Sequence, residues 1–179
     1  MEKTINSPGL LKEFLGTTPR IKDIIQLLTI SALATIAIYW SNISYFEEIS
    51  GWKTFWFIVI TFDIFAGAVG NFTKSTQRHY IKNRKRIEFL LLHFLHLGGL
   101  YYVVGNFTFF ISMYIFVVSS AMLVNSVESL KQKEIHAASL FIIGIMFFYM
   151  AFEIPQVIFW LPAIIMLKLL IGFSVKREH

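Results

Sequence analysis

The sequence predicts an all-α integral membrane bundle of six transmembrane helices, and three observations lead there. Hydrophobic residues make up 56% of the 179 positions and charged residues only 15%, against about 25% in soluble domains; the mean hydropathy is +0.64. Six apolar segments recur along the chain, each close to the ~20 residues a helix needs to cross ~30 Å of hydrocarbon. Basic residues gather in alternate connecting segments, as the positive-inside rule requires of a multi-pass chain.

The segments fall at 21–41, 53–72, 87–104, 107–127, 137–153 and 155–174. Helix is the only sensible assignment, because in lipid every backbone group must find its partner within the segment. Thr18-Pro19 reads as the start of the first helix, with Thr18 as N-cap and Pro19 at the first helical position. Gly105-Asn106 and Glu153 to Pro155 leave room only for tight hairpins. The fifth segment is the shortest, and a re-entrant hairpin is its alternative. Pro162 is expected to kink the sixth helix.

Charge placement fixes an orientation for this count. One side receives Lys3, Lys12, Arg20, Lys22, the basic run Lys74, Arg78, Lys82, Arg84, Lys85 and Arg86, then Lys131, Lys133, Lys176 and Arg177. The other side receives Lys53 beside Glu47, Glu48 and Glu153. Both termini are therefore expected in the cytoplasm, in a plasma (inner) membrane of bacterial type. Lys168, inside the sixth helix, is expected to snorkel to the cytoplasmic surface. The domains read as an N-terminal segment 1–20, a transmembrane domain 21–174 and a tail 175–179. Leu10, Leu11, Phe14 and Leu15 could line one face of a short interfacial helix, with a frayed tail as the other reading. The N-terminal region has no apolar core before a small-residue cleavage site, so no cleavable signal peptide is expected.

Composition also excludes some chemistry. Cysteine is absent, which removes disulfides, thiolate metal sites and cysteine nucleophiles. The net charge of +5 hugs the membrane without a soluble module, which argues against nucleic acid. No Rossmann, P-loop, membrane-protease or haem motif is present.

What remains is a polar group inside the second and third helices. Asp63 lies near the middle of the second, where an acidic residue costs about 2.5–3.5 kcal/mol on insertion scales and so should face a partner. Asp63, Gly67, Gly70, Asn71 and Lys74 share one helical stripe, and the glycines allow close approach of a neighbour. Gly98 and Gly99 offer a small surface on the third helix. At a rise of ~1.5 Å per residue, His96 falls at the level of Asp63 and His93 at that of Gly67.

Three uses of Asp63, His93 and His96 follow from residue type. The first is a structural hydrogen-bonded pair that pins helix register. A pathway for a proton, ion or small solute is the second, with Asn71 included in it. The third is a site for a divalent metal (zinc, iron or manganese), since two imidazoles and a carboxylate are a catalytic zinc set, and intramembrane hydrolysis would follow. The basic run serves topology first, and Lys74, Arg78, Lys82, Arg84, Lys85 and Arg86 could also contact anionic headgroups. Asn71, Thr73, Ser75, Thr76 and Tyr80 could line a vestibule leading up to Asp63. Ser119, Ser120 and Asn125 suit helix–helix contacts, and His79, His136 and His179 are expected in solvent. The favoured reading is a solute or ion pathway. A metal-dependent hydrolase, or a helper subunit whose small-residue faces dock a second copy or a membrane partner, are the alternatives, so enzyme activity is left open.

Overall fold

The computed structural model describes residues 4–7, 12, 15–82 and 86–175. Six helices in it are long and apolar enough to cross a membrane. Lys3, Leu10, Leu11, Phe14, Arg84, Lys85, Lys176, Arg177 and His179 lie outside the described residues, as does the core of the expected interfacial helix. Lys82 and Arg86 are described as helical backbone alone.

The chain runs through α1 (Ile21–Ser41), a short α2 (Ile43–Glu48), α3 (Gly51–Gly70), α4 (Lys74–Lys82), α5 (Arg86–Val104), α6 (Phe107–Ser126), α7 (Leu130–Ala151) and α8 (Leu161–Met166). A π-helical stretch, Leu167–Phe173, continues α8. α3, α5, α6 and α7 pack each against the next, α1 lies against α3, and α8 with its π extension touches α3, α6 and α7. This last span is the axis of the bundle. In its most apolar window 61% of residues are buried, against 17% in α1 and in α7. Around it sits a core that includes Phe57, Ile64, Leu100, Phe109, Met113, Phe148, Ile165 and Met166. The outward faces carry Trp40, Phe55, Leu95, Ile115, Ile142 and Met150, as lipid contact would require.

Local chemistry explains the turns. Gly105 and Asn106 both take positive φ (82° and 62°), which reverses the chain in two residues. Glycine has no Cβ to oppose that conformation, and Asn tolerates it better than most residues. The Asn106 Oδ1 then accepts from the Phe109 N–H at 3.2 Å and starts α6.

Four sequence expectations change. α1 begins at Ile21 with Arg20 preceding it, so Thr18 and Pro19 lie outside the helix. They are taken instead by an extended pairing with the N-terminal segment, in which the Ile5 N–H donates to the Pro19 carbonyl at 3.1 Å. Thr18 N–H donates to Ser75 Oγ on α4. The fifth span is the expected helix and not its re-entrant alternative, but it starts at Leu130 instead of 137. α7 covers 22 residues, because Lys131, Lys133, Glu134 and His136 favour helix once they stand beyond the apolar stretch. Pro162 puts no kink in the sixth helix but sits in the first turn of α8, where its missing N–H costs no hydrogen bond. The break falls earlier, at a 3₁₀ turn over Gln156–Ile158. His79, expected in solvent, is buried, because the basic run folds as a helix over Lys74–Lys82.

Both ends of the described chain meet α4. Thr18 reaches it as above, and the Phe173 ring packs edge-on to Tyr80 at 5.1 Å. The strongly basic segment therefore closes one end of the bundle.

Candidate functional site

α3 places Asp63 about two-thirds of the way along its length, and the apolar residues on either side keep the helix going through a polar residue. The carboxylate Oδ2 meets the His96 Nε2 of α5 in a hydrogen bond. The same oxygen lies 4.0 Å from the Nζ of Lys168. Asp63 is thus shared between two donors from two different helices. Exposure separates the three: 26% of the Asp63 side chain and 23% of His96 remain accessible, against 2% of Lys168. The ammonium is shut inside the bundle while the Asp–His pair can be reached from outside.

Lys168 was expected to snorkel outwards, and it does the opposite. In an α-helix the Cα–Cβ bonds tilt towards the N-terminus. The last span runs towards the α4 end, so its side chains lean back to the middle of the bundle. Asp63 then supplies the counter-charge. The sequence signal for this was available: a lone lysine in a helix, pointing by its own geometry at the depth of a lone aspartate.

The α3 stripe serves this lysine twice. A methyl group at Gly67 would overlap Lys168 Cε and Nζ, so glycine there gives the side chain its room. One turn further, Asn71 Nδ2 donates to the Lys168 backbone carbonyl at 2.9 Å. The Gln77 side-chain amide in turn donates to the Asn71 carbonyl at 3.1 Å. The π register begins beside Lys168, and Asn71 pairs that carbonyl. At the far end of the stretch the Ser174 N–H donates five residues back, to Leu169, at 3.1 Å. Asn125 of α6 donates to Ser174 Oγ at 3.1 Å, and Gly172 sits close against Asn71 and Phe72. Single-turn π segments interrupt helices often at functional positions.

His93 stands apart from Asp63. Its Nδ1–H donates to the Phe89 carbonyl at 2.9 Å, which leaves Nε2 as the lone-pair nitrogen of the neutral ring. That atom is buried without a hydrogen-bond partner, as is His96 Nδ1. The two imidazoles stack with centroids 5.0 Å apart. Among the described residues no three His, Asp or Glu side chains converge as metal ligands would. The Lys168 ammonium lies on the Oδ2 side of the Asp63 carboxylate.

Of the small-residue positions, Gly99 faces Ile60 of α3, whereas Gly98 has open space before it. Gly70 is buried at the end of α3. The expected vestibule groups are committed to one another. Thr73 donates to Thr76, Ser75 accepts from Thr18 and Tyr80 packs on Phe89 and Phe173. Lys74 and Arg78 stand on the exposed face of α4.

A groove of about 570 Å³ opens sideways between α3 and α5. Its walls are Trp56, Val59, Ile60, Leu95, Gly99 and Tyr102, and its polar floor is Asp63 with His96. Compared with known protein families, curated proteins and solved structures, the chain gives no match.

Proposed function

We propose that the chain is a plasma-membrane protein with cytoplasmic termini that passes a small ion, the proton, across the bilayer through the Asp63, His96 and Lys168 cluster. The observation carrying this reading is that one carboxylate, inside an apolar helix of a six-span bundle, is held by both a histidine and an otherwise buried lysine. Ionisable residues are costly there and are typical of proton relays. His96 Nδ1 and His93 Nε2, both unpartnered, extend the cluster towards the basic end. Imidazole changes charge near physiological pH and suits such a step. The orientation rests on the basic residues of α4 and the segments level with it. Lys74 and Arg78, exposed on α4, would meet anionic headgroups at that surface.

The test is proton flux in proteoliposomes carrying a trapped pH-sensitive dye, with potassium and valinomycin to clamp the potential. Wild-type vesicles should dissipate an imposed gradient at least tenfold faster than vesicles with folded Asp63→Asn. Rates equal to those of protein-free vesicles would overturn the reading and leave the cluster as a structural pair.

A further inference from the structure

The groove between α3 and α5 has one formal charge in its lining, the Asp63 carboxylate. Lys168 and His96 both address Oδ2, and Oδ1 takes no hydrogen bond among the described residues. With 26% of its side chain accessible, Asp63 leaves Oδ1 open to a charge-assisted hydrogen bond from a ligand donor. Lys168 is enclosed on the core side and does not line the groove, so a ligand there meets the carboxylate and not the ammonium. The walls carry two aromatic rings, Trp56 and Tyr102, whose faces attract cations. Tyr102 already holds one: Lys53 Nζ lies 5.3 Å from its centroid, at the end of the groove away from Asp63. That end is therefore guarded by positive charge. The open approach is from the side, between Val59 (40% exposed) and Leu95 (57% exposed), where the surroundings of a spanning helix are lipid tails.

We infer that this groove binds a small amphipathic organic cation, an alkyl or arylalkyl ammonium, that enters sideways from the bilayer with its apolar body against Val59, Leu95 and Tyr102 and its N–H on Asp63 Oδ1. Three features select this class. The volume fits a compact organic ligand and lies within the ordinary range of ~300–1,000 Å³. The walls are apolar apart from the floor, so a strongly hydrated solute gains nothing by entering. The unsatisfied group is an anion, so an ammonium gains a charge-assisted hydrogen bond that an alcohol of the same shape makes only in weaker form. From His96 to Tyr102 the groove runs ~9 Å along α5, about the length of a phenyl ring joined to a four-carbon amine.

The site uses the same aspartate as the proposed proton path but does not require transport, so equilibrium binding tests it independently. Titration calorimetry on the full chain in neutral detergent would compare 4-phenylbutylammonium with 4-phenylbutanol. The expected result is saturable binding of one amine per chain, at least tenfold tighter than the alcohol. Asp63→Asn should remove that preference, and Val59→Trp, which fills the groove from a lipid-facing wall, should weaken both ligands at least tenfold. Equal affinity for amine and alcohol, no saturable binding, or indifference to Val59→Trp would overturn the inference. Should Asp63→Asn fail to fold, the amine-to-alcohol ratio and Val59→Trp still decide it. Proton flux without amine binding would discard the cation and keep the pathway; binding without flux would do the reverse.

Discussion

Lys168 and Asp63 depend on each other in a way that a double-mutant cycle can read. Removing one member of a buried pair leaves an uncompensated charge, which costs about 3–5 kcal/mol, while removing both is often close to neutral. Asp63→Asn alone strands an ammonium that is 2% exposed. It should lower stability by about 3 kcal/mol in thermal unfolding in detergent. Asp63→Asn combined with Lys168→Met should recover most of that loss. A double variant no more stable than the single one would mean that Lys168 does not depend on Asp63. Gly67→Ala acts on the same pair from the other side. The added methyl overlaps the lysine side chain, and overpacking of this kind costs about 1–3 kcal/mol. Asp63 and the two histidines could be read from the sequence because hydropathy makes any ionisable residue in a long apolar run conspicuous. The level arithmetic that pairs Asp63 with His96 needed only a hairpin and a rise per residue. Lys168 was misassigned because its distance along the chain from the helix end was counted while the direction of its Cβ was not.

At the scale of single elements, the π stretch Leu167–Phe173 is the least ordinary part of the fold. Its start is tied by the Asn71 side chain to the Lys168 carbonyl and its end by Ser174 to Leu169 and Asn125. Asn71→Ala removes the donor without adding bulk beside Gly172. A buried carbonyl left without a partner costs about 1–3 kcal/mol, and faster amide exchange over 168–174 should accompany the loss. Unchanged exchange would show that the π register does not depend on Asn71. Nothing in the amino-acid pattern announced this register, since a seven-residue stretch that is apolar nearly throughout is too short to display its own period. The longer α7 was also illegible: Lys131, Lys133 and Glu134 looked like loop charges, although polar helix formers extend a spanning helix readily once it leaves the apolar layer.

For the molecule as a whole, the six spans were legible because length and hydropathy alone decide them. Which helix forms the axis was not, because burial between helices and burial in lipid select the same residue types. The expected orientation has a direct check. The native chain has no cysteine, so single cysteines report without background. Cysteines at Lys53 and Glu153 should react with an impermeant maleimide added outside intact cells, and cysteines at Lys74 and Lys131 only after permeabilisation. The reverse pattern would invert the topology and place the basic helix α4 outside.

The axial position of the last span has a bearing on biogenesis. If spans enter the bilayer in the order of synthesis, α3 and α5 would be in lipid before Lys168 has left the ribosome. During that interval Asp63 would have His96 for company but lack its cation, and the faces of α3, α6 and α7 that meet the last span would be uncovered. The nascent bundle is thus a hollow barrel closed by its final stave. Chains released before α8 should stay open to membrane quality-control proteases, which makes completion of the C-terminal span the step that commits the protein to its lifetime.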